Sequence, residues 1–546
     1  MARIGLFYVS QAIRGDGNIT MLRYAGILLS ALVITAFTAG STRADQSSPE
    51  AESQTGFTLA VNEFMASNTS SLRDPQGQYD DWIEVYNYGA QAINIGGMYL
   101  TDDLSRPSKW RIPADNPSLT IIGPGRYLLV WADEDTSDSG LHADFKLDAK
   151  GEQIGLFAAD GVTLINGITF GGQTADISYG RYPDAHDDLR FFGVPTPGKQ
   201  NNGGYMGEVA DTKFSCNRGF YTAPFLLTIA TETEGATIFY SLDGSEPYDD
   251  SGQSPTGMVY TGPVPVNKTT CVRVRAVKTG WKPTDVDTQT YIFPADTIRK
   301  SQQQVLNAGY PSTWFEGLPA DYEMDPQVYN DPAYASVMEG ALQSLPTLSI
   351  ATNKDNLFSH EKDSVKGGIY IYTGHSTTGG EDWERPVSAE FFTHDGDSEF
   401  QVNCGLRIQG GESRRPIKCP KHSLSLRFSQ DYGPAKLDFG LFDAGSVDSF
   451  DSLQLRGFFN NAWTHWAPDQ RARTQYIRDQ WMRDSLTDMG QPDAGQGRYV
   501  HLYLNGIYWG LYNLQERPVA SHYAAYNGGD KDSLDAVNGG QATDGT

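Results

Sequence analysis

Two apolar-rich runs, residues 499–504 and 507–512, flank the dipeptide Asn505-Gly506. Asn-Gly supplies the positive φ angles of the two-residue turn whose twist matches that of paired strands. The stretch therefore predicts an antiparallel hairpin and commits this part of the chain to a sheet. Similar patterning recurs upstream. Residues 57–64, 81–86, 126–131 and 153–157 read as strands, with turn residues between them at β-sandwich spacing. In 81–86, Trp82, Glu84 and Tyr86 fall on one face, and Ile83 and Val85 on the other. Residues 235–247 read as a strand running into the Asp243-Gly244 turn, and 269–276 alternate cleanly. The 58 glycines and 29 tyrosines suit short strands and turns better than helical bundles.

Mixed α+β character begins near Pro346. Residues 368–372, 387–392, 405–409 and 423–428 read as strands. Residues 473–489 read as a helix, with Tyr476, Ile477, Trp481 and Leu486 near 3.6-residue spacing. A connector, 295–345, starts with a helical pattern over 298–306, carries Trp314 in an aromatic and proline-rich stretch, and predicts a short helix over 334–342. At 546 residues the chain has room for about three or four domains.

The net charge of −25 disfavours a phosphate-backbone partner, so nucleic acid is not expected; the acidic surface reads as solubilising. Met21-Leu22-Arg23, an apolar run over 25–39 and the small residues up to Ala44 have the form of a secretory signal peptide, with Met21 the expected start. The sequence thus points to an exported protein, with 1–44 removed, 45–56 a flexible linker and no stable membrane span after cleavage. An uncleaved signal anchor is the competing reading. In an exported chain four cysteines invite pairing. Cys216–Cys271 and Cys404–Cys419 are the expected disulfides, since each pair falls within one domain. No Cys-x-x-Cys is present.

Positive charge gathers in one place. Arg407, Arg414, Arg415, Lys418, Lys421 and Arg427 stand between Gly405 and Phe428, with Glu412 as the only acid. Around Gly410-Gly411 this describes either an anion site, where backbone approaches a phosphate, or a solvated basic face. It is not a Walker loop, because Gly411-Glu412 stand where Lys-Ser/Thr is needed. Gly374-His375-Ser376 lacks the second glycine of a nucleophile elbow, and His360-Glu361 lacks a second histidine. The loop at Asp135 has Lys146 where calcium needs a bidentate Glu.

Val61-Asn62-Glu63-Phe64, Asp80-Asp81-Trp82-Ile83-Glu84-Val85-Tyr86-Asn87 and Pro195-Thr196-Pro197-Gly198 resemble a lamin-tail domain, an immunoglobulin-like sandwich over 57–203 that implies binding or spacing. Its acids Glu63, Asp80, Asp81 and Glu84 could hold a cation such as calcium, but such carboxylates more often cap turns and face water, and no metal site is expected. Residues 211–294 resemble the accessory β sandwich at the C-terminus of chitobiases and hexosaminidases. Trp82, Trp110 and Trp131 read as core rather than as a carbohydrate platform, so contact with polysaccharide or cell envelope through these modules is the weaker expectation.

Gly405-Leu406-Arg407-Ile408-Gln409-Gly410-Gly411, Pro420-Lys421-His422-Ser423, Tyr476-Ile477-Arg478-Asp479-Gln480 and Tyr503-Leu504-Asn505-Gly506 through Glu516 are similar, in order, to the CotH kinase family. The expected architecture is thus multi-domain and mostly β: two immunoglobulin-like sandwiches, then a kinase-like N-lobe over 346–546. The resemblance implies ATP with Mg²⁺, and phosphorylation of Ser/Thr on secreted or surface proteins. It makes Lys421, on the strand after the glycine turn, the phosphate lysine. Arg407 assists there or braces the loop. Arg478 and Asp479 are supporting helix residues, or form an ordinary helix salt bridge. Residues 513–516, ending at Glu516, are the adenine hinge. The catalytic and Mg²⁺-binding acids follow the hinge in a kinase fold and no such arrangement follows Glu516, so a truncated C-lobe is expected, with a pseudo-enzyme half as the competing reading, and the catalytic residues stay unassigned. A non-enzymatic surface adhesion or assembly protein is the alternative.

Overall fold

The computed structural model describes residues 56–546, except 250–254, 315–316, 373–380, 397–398, 443–444, 492–493, 539–540 and 545–546. The expected signal peptide, almost all of the linker and the Gly374-His375-Ser376 motif lie outside the described residues. No helix among the described residues is long and apolar enough to cross a membrane.

The first module is a two-sheet sandwich built from β1 (Leu59–Met65), β2 (Trp82–Asn87), β3 (Tyr99–Thr101), β4 (Trp110–Arg111), β5 (Arg126–Ala132), β6 (His142–Ala143), β7 (Gln153–Phe157), β8 (Leu164–Thr169), β9 (Ser178–Arg181) and β10 (Leu189–Phe192). One sheet has the order β10-β9-β1-β2-β5-β6 and the other β8-β7-β3-β4. Val61, Ile83, Val85, Val130, Ile154 and Leu156 fill the space between them. The alternation in β2 predicts one wet face, yet Trp82 and Glu84 are as buried as Ile83 and Val85. The closing segment covers that face: the Gly198 N–H donates to Glu84 Oε2 at 2.6 Å, and the Thr196 N–H to Glu63 Oε1 at 3.0 Å. Glu63 and Glu84 are therefore buried acceptors, not water-facing caps. Asp81 does cap a turn, accepting from the Asn68 N–H at 3.2 Å. Trp82, Trp110 and Trp131 are core.

The second module centres on β11 (Gly219–Phe220), β12 (Thr237–Ser241), β13 (Met258–Val259), β14 (Thr270–Val277) and β15 (Asp287–Ile292), in the order β11-β15-β14-β12-β13. The connector follows as α1 (Pro294–Arg299) and α2 (Gln302–Asn307). One continuous helix is not formed, because Ser301 starts a new one: its side chain and that of Gln304 make a reciprocal capping box. Further along the connector, α3 spans Met338–Gln343.

The third module is a closed barrel of β16 (Thr347–Ala351), β17 (Arg385–Phe392), β18 (Glu399–Gln409), β19 (Ser423–Arg427), β20 (Ser452–Arg456), β21 (Gly497–Leu504) and β22 (Ile507–Glu516). Its order is β16-β17-β18-β19-β20-β22-β21, and β21 closes on β16 in parallel. The Asn505-Gly506 hairpin forms as the sequence predicts, both residues having positive φ. Residues Ile369–Tyr372, read as strand from their β-branched and aromatic content, form a short helix, α4, whose rings pack into the core. Apolar side chains such as Ile350, Leu406, Leu426, Leu455, Leu502 and Leu514 point into the barrel. Trp314, Tyr322, Phe358, Tyr370 and Trp509 form an aromatic plug at one end.

All four cysteines are free thiols, so the expected disulfides are not formed. Each pair is split between separate environments. Cys271 faces the barrel with its Sγ 3.6 Å from Thr290 Oγ1, while Cys216 packs on the core of its own sandwich. Cys404 lies in the barrel core, and Cys419 in a separate cluster with Phe458 and Ala462.

Candidate functional site

The register Gln409↔Ser423 joins β18 to β19, so Gly410 and Lys421 stand at the same end of the barrel. Gly410 has φ +115°, and a Cβ there would collide with Ser413 Oγ; only glycine suits this turn. Glu412, the one acid of the basic island, is engaged by Lys418 and lies 3.8 Å from Arg415. The segment before β19 is pinned by two phenols. Tyr370 donates to the Pro420 carbonyl, and Tyr512 to the His422 carbonyl at 2.8 Å. The His422 ring packs on Tyr370, and burial pushes its pKa down to about 4, so it is neutral.

Lys421 is not on β19 but in the bend two residues before it. Its half-buried ammonium lies 3.9 Å from the Trp509 ring centroid and 5.6 Å from that of Trp314, and it donates to the Asp321 carbonyl at 3.0 Å. Among the described residues no carboxylate forms an ion pair with it, and burial pushes its pKa down to about 8.

The other predicted residues are distributed around this centre. Arg407 projects from the outer face of β18 and its Nε donates to Glu384, so it braces the strand. Arg478 begins α5 (Arg478–Asp488) and, among the described residues, reaches only the Arg473 carbonyl, at 3.3 Å and exposed. Asp479 does more than pair within its helix. It lies 3.3 Å from Arg456 on β20 and 3.2 Å from Arg483, and accepts from Gln515 on β22 at 2.8 Å. Burial raises the Asp479 pKa, but the Gln515 hydrogen bond and the two guanidinium charges outweigh it and hold the carboxyl below its usual range.

Residues 513–515 pair with β20 on one side and β21 on the other. Their backbone groups belong to the ladder. Glu516 itself is buried, accepting from the Gln496 N–H at 2.6 Å and the Tyr526 hydroxyl at 2.9 Å, and burial raises its pKa. It pairs with Leu453, whereas Gly457 abuts Lys421. At about 3.3 Å per residue, Glu516 therefore lies roughly 13 Å along the barrel from the lysine end.

Helix α5 packs on the sheet with the opposite face from the one its apolar spacing predicts. Ile477 and Trp481 are exposed, while Asp479, Gln480 and Arg483 face the strands. Gln480 Oε1 accepts from Asn513 Nδ2 at 2.9 Å. The outer strand face is polar to match: Gln409, Ser425, Asn513 and Gln515 each keep a buried side-chain oxygen without a partner among the described residues. Sequence reading missed this set, together with Trp314 and Trp509. Its one signal was the polar alternation Ser423-x-Ser425 and Asn513-x-Gln515.

Residues 406–543 match the family model for CotH kinase protein, 52–172 that for the Lamin Tail Domain, and 216–288 that for the Chitobiase/beta-hexosaminidase C-terminal domain. Among curated proteins none matches the chain. The protein thus carries, in order, a lamin-tail sandwich, a chitobiase-type sandwich and a CotH-type region, with barrel strands β16 and β17 lying ahead of the matched CotH segment.

Proposed function

We propose that the barrel is the nucleotide-binding part of an exported CotH-type kinase that transfers the γ-phosphoryl group of ATP to Ser/Thr hydroxyls of a secreted or surface protein. The observation that carries this reading is Lys421: a half-buried ammonium with no ion-pair partner among the described residues, beside a glycine turn, in a region matching the CotH kinase family. Asp321 attracts this desolvated cation without forming an ion pair among the described residues, so the ammonium still favours an anionic ligand, and perturbed pKa values gather at functional sites. Phosphoryl transfer rests mainly on positioning and charge stabilisation. Lys421 would supply the point charge, with Gly410 and Gly411 allowing backbone N–H groups to approach the phosphates. Arg407 and Asp479 act indirectly, bracing β18 and seating α5. Export agrees with the chitobiase-type and CotH regions, which are typical of extracellular proteins.

Among the described residues no group of three metal-competent side chains gathers at this end of the barrel to hold Mg²⁺. Glu412 is committed to Lys418, and the one metal-competent cluster among the described residues lies in the first sandwich. No step is derived through that ion.

Binding of ATP to the whole chain, followed by calorimetry, tests the proposal. Lys421→Ala is expected to weaken it about tenfold or more. Equal binding by both proteins, or none by the wild type, would refute it. That second result would favour a surface-assembly protein, which the buried contact between the second sandwich and the barrel also suits.

A further inference from the structure

The first sandwich holds a group that the proposed function does not use. Asp74 lies in the loop between β1 and β2, Asp133 follows β5, and His142 opens β6; all three are at least nine-tenths buried. One ligand atom from each lies within 4.8 Å of the others. His142 Nδ1 is 2.6 Å from Asp133 Oδ2, and its Nε2 is 3.3 Å from the Ser139 carbonyl. Asp133 Oδ1 accepts from the Asp135 N–H at 3.0 Å.

Asp74 makes this more than an Asp–His pair. Its Oδ1 caps its own turn, accepting from the Gln76 and Gln78 N–H groups at 3.0 and 2.6 Å. Its Oδ2 is buried and has no partner among the described residues. Leaving a carboxylate oxygen dry and unbonded is costly, and each such case calls for a ligand. Asp80 is near Asp133, Asp74 and Asp135, and its own Oδ2 is also buried without a partner among the described residues. Against these four acids the surroundings offer His142 and Lys146, so the centre has an excess of negative charge.

We propose that Asp74, Asp133 and His142 bind a divalent first-row transition metal, Zn²⁺ or Mn²⁺, that fastens the β1–β2 loop to the β5–β6 edge. The donor set decides the class. Two carboxylates neutralise a dication, and an imidazole nitrogen favours Zn²⁺ or Mn²⁺ over Ca²⁺ and Mg²⁺, which take oxygen ligands. The loops already meet through Gln76 Nε2 and the Ser139 carbonyl at 3.2 Å, so the cation would lock a contact rather than create one.

The test uses the full chain, stripped with chelator, dialysed against Zn²⁺ or Mn²⁺, gel-filtered and assayed for metal content and melting temperature. The wild type is expected to retain one cation per chain and to melt several degrees higher with metal. Asp74→Asn keeps the oxygen that caps Gln76 and Gln78, and is expected to bind about tenfold or more weakly and to lose the metal-dependent shift. Retention of equal metal by wild type and Asp74→Asn, or of none by the wild type, would overturn the proposal. X-ray absorption of the loaded wild type reads the ligands without any variant. A nitrogen and oxygen shell including histidine is expected, and a sulfur shell would overturn the assignment.

Discussion

Glu390, on the outer face of the barrel, accepts from both the backbone N–H of Thr290, at 3.0 Å, and its hydroxyl, at 2.5 Å, in the second sandwich. The same hydroxyl lies 2.8 Å from Ser349 Oγ, and Arg218 lies 3.6 Å from the carboxylate. Ile292, Phe392 and Tyr503 are buried beside this polar knot. The chitobiase-type module is thus built into the barrel, not tethered to it.

Glu390→Ala strands the Thr290 N–H and removes the carboxylate beside Arg218 Nε in a dry interface. We expect a loss of about 3 kcal/mol, and separation of one calorimetric transition for sandwich and barrel into two. A single transition at unchanged temperature would contradict this interface.

Lys421 sets a pH limit on nucleotide binding. Its pKa in the ligand-free protein is pushed down to about 8, so the ammonium that an anion needs is lost as pH rises through that value. ATP affinity is expected to fall across pH 7–9 in the wild type and to be flat in Lys421→Ala. Titrations by calorimetry at matched ionic strength would show it.

The lamin-tail sandwich should lose stability as pH rises. Burial raises the pKa of Glu84 to about 8 and also raises that of Glu63. A carboxyl that binds its proton more tightly when folded contributes fully below its unfolded value, near 4.5. That contribution is lost as pH climbs through the folded value. The change is on the order of a few kcal/mol for Glu84, and Glu84→Gln should flatten the curve. Denaturant melts between pH 5 and 9 measure both.

With all four thiols free, reducing agent should leave the melting temperature unchanged. Thiol titration should give four equivalents after unfolding and none for Cys271, Cys404 and Cys419 before it, since these three are buried.

Anchoring by Asp479 is specific to the sheet. Asp479→Ala removes the partner of Arg456, Arg483 and Gln515 and is expected to cost about 2 kcal/mol. Arg478→Ala should change stability by less than about 0.5 kcal/mol. Equal effects would mean that α5 is held by something other than Asp479.

The readable parts of this protein were those fixed by local chemistry. Asn505-Gly506 can hardly do anything but turn, Gly410 marks a backbone that needs positive φ, and alternating runs such as 269–276 must be strands. The helix over 473–489 was legible as a helix but not in its orientation. Periodicity says which residues share a face and not what that face meets, and here the sheet offers Asn513 and Gln515, so Asp479 and Gln480 turn inward. Similarly, Glu63 and Glu84 look solvent-facing until residues 195–201 fold over them.

Sequence by itself determined a multi-module, mostly β chain and the identity of each module, because strand period, turn residues and motif order are properties of short stretches. Tertiary structure decided what each functional side chain does. Lys421 meets Trp314, Trp509 and the Asp321 carbonyl, Asp74 comes beside Asp133 and His142, and the four cysteines stay apart. Each of these depends on segments tens or hundreds of residues apart sharing one burial environment, where desolvation sets charge, pKa and partner, and no local pattern records that meeting.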